Sequence, residues 1–376
     1  MIYLDSAATT LIKPPEVIRR TAWAVKNLAS PGRGQYYNAD LAEKTAYGCR
    51  EKAAAMFGVG QPDNVVLTFN ATHGLNMAIN TLAYRGCRTV VSGYEHNAVM
   101  RPLHAVGAEV ITAESPLFDR QAAIDAFERA VTPDTGLAVY TAVSNVFGFV
   151  LPISEIAEIC RVRGVSLIID ASQAAGTIEL DFTALGAAFM AMPGHKGLYG
   201  PQGTGLLLCA DGVKPFMRGG TGGDSRLPDM PDYLPDAGEA GTHNMPGIAG
   251  LSAGLDFVRS TGAGRILRHE RKMTELCTSE LGKIPGITVY STGDKRVQSG
   301  VLSFTCGGLD CVTAAQRLAG YGICVRAGLH CAPRAHNTAG TLDTGTVRVS
   351  VSAFTKPGDI YCLSRAMSRI MNDVRA

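Results

Sequence analysis

Charge is scarce in this chain. Only 18% of its 376 residues are Asp, Glu, Lys or Arg, the formal net charge is +2, and no long basic run occurs. That balance argues against a nucleic-acid or anionic membrane surface as partner. No stretch of about 18 uninterrupted apolar residues is present, so no membrane span is expected. The opening Met1-Ile2-Tyr3-Leu4-Asp5-Ser6 has no basic segment and carries an acid, which does not fit a secretory signal. The 10 Cys contain no C-x-x-C pair and no Cys/His cluster at zinc spacing, so no metal is expected. Most lie in apolar runs such as Leu206-Leu207-Leu208-Cys209 and read as small buried hydrophobes. The usage fits a reduced, cytoplasmic compartment. There is no Walker motif and no G-x-S-x-G elbow, and the Gly219-Gly220-Thr221-Gly222-Gly223 run lacks the strand and helix of a nucleotide loop.

What the chain has is alternation. Strand patterns at Asn64–Phe69, Thr89–Ser92, Glu109–Thr112, Leu137–Val143, Ser166–Asp170, Ala187–Ala191 and Gly205–Cys209 are separated mostly by helical ones. Such alternation predicts an α/β fold, a mainly parallel sheet covered on both faces, with ligands at the carboxyl ends of the strands. Residues 212–246 are rich in Gly and Pro and read as a long loop. A helical stretch from Gly247 to about Leu281 follows. Strands at Gly300–Thr305, Ile323–Arg326 and Thr346–Val351 and helices at Asp310–Leu318 and Lys356–Asn372 then make a smaller α+β part. The expected division is a large domain over 13–255 and a small one from 1–12 and 256–376.

Most of the candidate site residues follow strand ends. Asp170 ends an apolar strand, where a carboxylate is costly without a positive partner such as a protonated ring nitrogen; a helix-capping role is the plainer alternative. Lys196, in Gly194-His195-Lys196, also follows an apolar run, where burial lowers the amine pKa and favours a Schiff base with an aldehyde cofactor. Asn70-Ala71-Thr72-His73-Gly74 joins a strand to a helix, whose free N–H groups and the Thr72 hydroxyl suit a phosphate. His96, after another strand, suits ring stacking or proton transfer. Asn145 and Arg348 are candidates to hold a carboxylate. An arginine inside the apolar strand Val347-Arg348-Val349 requires a buried anion nearby, which an Asp or Glu of the chain would also supply. Cys331, in Arg326-Ala327-Gly328-Leu329-His330-Cys331-Ala332-Pro333, lies on a Gly- and Pro-broken loop and reads as a mobile nucleophile, with His330 or His96 as its base.

Taken in order, these motifs resemble the class V, fold-type I pyridoxal-phosphate enzymes, and among them the second group of cysteine desulfurases, which includes selenocysteine lyases. The likeness begins at Tyr3-Leu4-Asp5-Ser6-Ala7-Ala8-Thr9-Thr10, passes through Glu95-His96-Asn97, Val143-Ser144-Asn145, Asp170-Ala171-Ser172-Gln173 and Glu239-Ala240-Gly241-Thr242, and ends at the Cys331 loop. It implies a seven-stranded, mainly parallel sheet and pyridoxal 5'-phosphate as cofactor. It implies that Lys196 carries the cofactor, Asp170 pairs with the ring nitrogen, Gln173 approaches the ring hydroxyl and His96 stacks on the ring. Ala71, Thr72 and His195 bind the phosphate, Thr242 reaches the phosphate of the neighbouring subunit in a homodimer, and Asn145 and Arg348 hold the substrate carboxylate. Cys331 takes sulfur from L-cysteine, or selenium from L-selenocysteine, and passes a persulfide to an acceptor protein, as in iron–sulfur cluster assembly. Three features depart from the family pattern. Pro193 stands where a phosphate-binding Ser or Thr is usual, Leu329 where many members have a second His, and Tyr36 and Tyr37 near the place of another His. Selenocysteine lysis or transamination on the same scaffold, and a non-catalytic sulfur-carrier-binding subunit, are the competing readings; intact Lys196, Asp170 and Cys331 weigh against the last.

Overall fold

The computed structural model describes residues 1–376 apart from 33, 223–225, 227 and 376. After a short β1 (Ile2–Tyr3), seven strands build one sheet: β2 (Val65–Thr68), β3 (Arg88–Ser92), β4 (Glu109–Ala113), β5 (Leu137–Thr141), β6 (Ser166–Asp170), β7 (Phe189–Pro193) and β8 (Gly205–Cys209). Their spatial order is β2-β8-β7-β6-β5-β3-β4, and only β8 runs against its neighbours. The central strands are buried along their whole length, which is why they read as continuous apolar runs rather than alternating ones. In register, Thr141 pairs with Asp170 and Asp170 with Ala191, so β5 and β6 end level and β7 runs two residues further, to Pro193. The residues just past those ends are thereby brought side by side, as expected for a ligand site in an open α/β sheet.

The remaining strands are β9 (Ile287–Tyr290), β10 (Val301–Cys306), β11 (Ile323–Cys324), β12 (Arg326–Gly328) and β13 (Thr346–Ser350). Four make an antiparallel sheet, β12-β13-β10-β9, and β11 pairs in parallel with β1. They share an apolar core, with Leu4, Phe304, Val347, Ile360 and Met367 among its members, separate from the cores on the two faces of the large sheet. Leu4 therefore ties the N-terminus to the C-terminal part of the chain.

The structure corrects three expectations. The helical stretch after Gly247 is two helices, Met245–Thr261 and Ala263–Gly282, separated by Gly262 at φ +89°, a conformation glycine adopts without strain. The strand expected at Ile323–Arg326 is two strands in different sheets. Strand β9 was not anticipated, because Ile287-Thr288-Val289-Tyr290 is too short for a clear period. Between 212 and 244 the described residues form loop apart from a single 3-10 turn, Asp236–Gly238; residues 223–225 and 227 of the expected loop lie outside them. No helix among the described residues is long and apolar enough to cross a membrane.

Candidate active site

Asp170 closes β6 and is 2% exposed. Its Oδ1 accepts the Ser172 N–H at 2.9 Å, and no Lys or Arg among the described residues forms an ion pair with it. Lys196 follows the adjacent β7. Burial lowers its ammonium pKa to about 8, opposed by the Asp170 carboxylate and assisted by the Arg348 and Arg326 guanidinium groups. Two glycines allow this arrangement. A Cβ on Gly176 would lie 2.1 Å from the Gly197 carbonyl oxygen, and one on Gly197 would lie 2.3 Å from that of Ala175. No larger residue would let the Lys196 turn settle on the segment that follows Asp170.

His96 is the N-cap of helix Asn97–Val106. Its Nδ1 accepts the Ala98 N–H at 3.0 Å, which places the proton of the neutral ring on Nε2. Burial lowers its pKa, the Asp170 charge raises it, and Lys196 lowers it further. Gln173 donates from Nε2 to the Ala7 carbonyl at 3.0 Å.

The helix Ala71–Leu82 starts beside this group. The side chain of its N-cap Asn70 accepts the His73 N–H, which leaves the amides of Ala71 and Thr72 for an anion. His195 has a buried Nδ1 with no hydrogen-bond partner, and its pKa is lowered to about 4 by burial and by Lys196 and Lys13. Pro193, at the end of β7, is buried and offers no donor. Lys13, which sequence reasoning passed over, donates to Thr10 Oγ1 at 2.6 Å and to the Gly200 carbonyl at 2.7 Å.

Arg348, on β13, is 2% exposed. The buried anion that its sequence context requires is Asp5, whose Oδ1 lies 2.6 Å from Nη2. Nη1 donates to the Asn145 backbone carbonyl at 3.0 Å, while Nε has no partner. One edge of the guanidinium is thus fixed by the chain, and a buried, unpaired donor is left on another.

Cys331 is exposed, yet its backbone is tied down. The Asn145 side chain donates from Nδ2 to the His330 carbonyl at 2.8 Å, and the Asn97 N–H donates to the Cys331 carbonyl at 2.7 Å. His330 and Cys331 both have positive φ, +52° and +56°, after Gly328 at +105°. Left-handed backbone costs roughly 1–2 kcal/mol per non-glycine residue, so such a pair persists only where neighbours enforce it. The loop that glycine and proline mark thus carries two backbone tethers around Cys331. His330 has partners of its own for both ring nitrogens. Its ring is buried, stacks on His336 at 5.6 Å and meets His336 Nε2 through Nδ1 at 3.4 Å, and burial lowers its pKa to about 2. Leu329, 39% exposed, lies at the rim next to the turn.

Thr242 is exposed on the loop after Glu239. Glu239 anchors that loop from within. Its carboxylate receives both Arg50 Nη groups at 2.6 Å and the Leu67 N–H at 2.6 Å, and it also meets His243 Nε2. Burial alone would raise its pKa, but the Arg50 and His243 contacts hold it below the usual carboxylate value. Thr242 lines one cavity with Phe69, His73 and Thr204 and another with Glu43 and Arg50, and Lys196 lines neither. Tyr36 and Tyr37 are exposed at the start of helix Tyr37–Phe57.

These groups fit pyridoxal phosphate. Asp170 has an oxygen without a protein donor for a ring nitrogen, Lys196 has a depressed amine pKa, and free amides with an orphaned His195 nitrogen wait at a helix start. Comparison with known proteins agrees. The model of the aminotransferase class-V family matches residues 2–363. A probable cysteine desulfurase from Methanothermobacter thermautotrophicus is 34% identical, over 98% of this chain and 94% of its own. The apo structure of a cysteine desulfurase from Thermococcus onnurineus superposes with a TM-score of 0.89 at 27% identity, covering 99% of this chain and 95% of that one. A cysteine desulfurase from Escherichia coli, solved as an S-sulfonic acid, gives 0.85 at 27% identity, over 99% and 94%. The chain belongs to the aminotransferase class-V family of pyridoxal-phosphate enzymes, and its relatives and structural neighbours are cysteine desulfurases.

Proposed function

We propose that the chain is a cysteine desulfurase that converts L-cysteine to L-alanine and retains the sulfur as a persulfide on Cys331, for transfer to an acceptor protein. The observation that carries this reading is that the exposed Cys331 is anchored through its own carbonyl to Asn97, the residue after His96, in the cluster that holds Lys196 and Asp170. Among the 10 Cys, the remaining nine are buried or half-buried.

In this reading Lys196 would hold the cofactor, Asp170 its ring nitrogen, Gln173 its ring hydroxyl and His96 its ring face. Ala71, Thr72 and His195 would hold the phosphate, joined by Thr242 from the second subunit of a homodimer. Bound pyridoxal phosphate supplies an electron sink that weakens the bonds at the substrate Cα and Cβ. The protein's own part is placement and proton handling. The free Nε edge of Arg348, with Asn145, receives the substrate carboxylate. With its pKa lowered to about 8, Lys196 Nζ is available as a neutral amine to take a proton from Cα and return one to Cβ. Cys331, as thiolate, attacks the substrate sulfur. The new S–S bond forms as the C–S bond breaks, and the carbon is protonated and leaves as alanine. The thiol proton is assigned to His96 Nε2, because both His330 nitrogens are engaged, Nδ1 with His336 and Nε2 with the Arg326 carbonyl.

The domain division at 13–255 against 1–12 and 256–376, and a cytoplasmic location, complete the proposal. The separate core around Leu4 and Phe304 and the cysteine usage support them. Alanine formation from L-cysteine, L-selenocysteine and L-cysteine sulfinate, with wild type and with Cys331→Ala, tests it. Loss of the L-cysteine reaction alone supports a persulfide mechanism; equal rates in both proteins overturn it.

A further inference from the structure

We propose that the Cys331 turn is a preset presenter of the thiol, held by two posts, and that Asn145 is the positioning residue that registers it against the carboxylate clamp. The inference rests on the reading of Cys331 as nucleophile and Arg348 as clamp. It adds a role for Asn145 and Asn97 that carboxylate binding does not require.

Four contacts converge. The Asn145 amide holds the carbonyl of His330, one residue before the nucleophile, at 2.8 Å. The backbone carbonyl of the same Asn145 takes Arg348 Nη1 at 3.0 Å. The Asn97 N–H holds the carbonyl of Cys331 itself at 2.7 Å, and the Ala332 N–H closes the turn onto the Leu329 carbonyl at 2.9 Å. Asn145 is buried, so its amide has no water to replace the protein acceptor. The two successive left-handed residues, +52° and +56°, are a conformation that a free loop would abandon. An amide nitrogen carries two hydrogens, so one is available for a substrate carboxylate while the other holds the turn. Asn145 thereby fixes the distance between the substrate's carboxylate end and the thiol, and Asn97 fixes the thiol relative to His96. The thiol is thereby held in register with the carboxylate clamp through Asn145.

The two posts are separable. Asn145→Ala removes the first. Asn97→Pro removes the N–H of the second and sets the proline Cδ where the Cys331 carbonyl now rests, so it displaces the turn from that post; residue 97 is the first helical position, where proline is tolerated, and His96 before it is already extended. The test uses cofactor-loaded protein and three readouts: the alkylation rate of Cys331 by iodoacetamide, located by peptide mass spectrometry; the affinity for L-alanine, which has the carboxylate but no thiol; and kcat and KM for L-cysteine. Thermal melts of both variants confirm folding. The expected result for Asn97→Pro is Cys331 alkylation faster by threefold or more, kcat down tenfold or more, and KM and L-alanine affinity within threefold of wild type. Asn145→Ala should show the same rise in alkylation. Unchanged alkylation in both variants overturns the proposal, and if L-alanine affinity also falls tenfold in Asn145→Ala, that residue is a carboxylate ligand and nothing more. Cys331→Ser run alongside keeps the underlying reading separate: wild-type desulfuration in that variant would remove the nucleophile itself, whatever the posts do.

Discussion

Arg348 and Asp5 form an ion pair at 2.6 Å across the junction of the N-terminal segment and β13. The pair brings the first residues of the chain to the proposed substrate site, next to Ser350, with which Asp5 makes a parallel bridge. It also orients the guanidinium so that its unpartnered Nε is fixed rather than swinging. Arg348→Lys removes the planar fork. The expected result is a KM for L-cysteine raised tenfold or more, corresponding to ~1.5–3 kcal/mol of charge-assisted hydrogen bonding. Steady-state kinetics with circular dichroism as a folding control measure it.

Asp5→Asn tests the same pair from the other side. Removing one member of a buried pair leaves an uncompensated charge, at a cost of roughly 3 kcal/mol or more. The expected outcome is a lower denaturant midpoint together with a raised KM.

Much of the site was legible in sequence because each residue follows an apolar strand. Asp170 closes β6, Lys196 and His96 follow β7 and β3, and the parallel pairing of β6 with β7 brings Asp170 and Lys196 to the same end of the sheet. Asp5 was legible only as a requirement: Arg348 in an apolar strand demanded an anion, but nothing in the chain says which of its 33 acids supplies it. The tethers of the Cys331 turn were not legible at all. Both are bonds to backbone carbonyls, which leave no trace in residue type, and Gly328 and Pro333 suggested mobility instead. The small sheet was read less well than the large one because β9, β11 and β12 are only two to four residues long.

Glu270 should make stability depend on pH. It is 6% exposed, lines a cavity that Ser299 and Lys196 also line, and burial raises its carboxyl pKa from an ordinary 4.5 to about 8. A carboxyl whose folded pKa is raised contributes its full stability below the unfolded pKa and loses it as pH rises through the folded one. Glu270→Gln cannot ionise. Its stability relative to wild type should therefore rise between pH 5 and pH 8, by on the order of a few kcal/mol. Urea unfolding at both pH values measures this, and parallel curves for the two proteins would contradict it.

Lys196→Ala should lose the visible band of bound cofactor that the wild-type protein shows, because no other amine occupies the place opposite Asp170. Absorbance spectra after loading and borohydride treatment check this. In the same preparations, sedimentation should find a dimer as the active species, since the proposed role of Thr242 lies in the site of a second subunit.

The central claim is that Cys331 takes the sulfur. Cys331→Ser, loaded with cofactor and given L-cysteine, measures it most directly. The bound-cofactor spectrum should still respond to L-cysteine, because Lys196, Asp170 and Arg348 are untouched, while alanine release falls to a trace of the wild-type rate. Alanine release at the wild-type rate would show that the sulfur leaves without this thiol, and the account would be wrong.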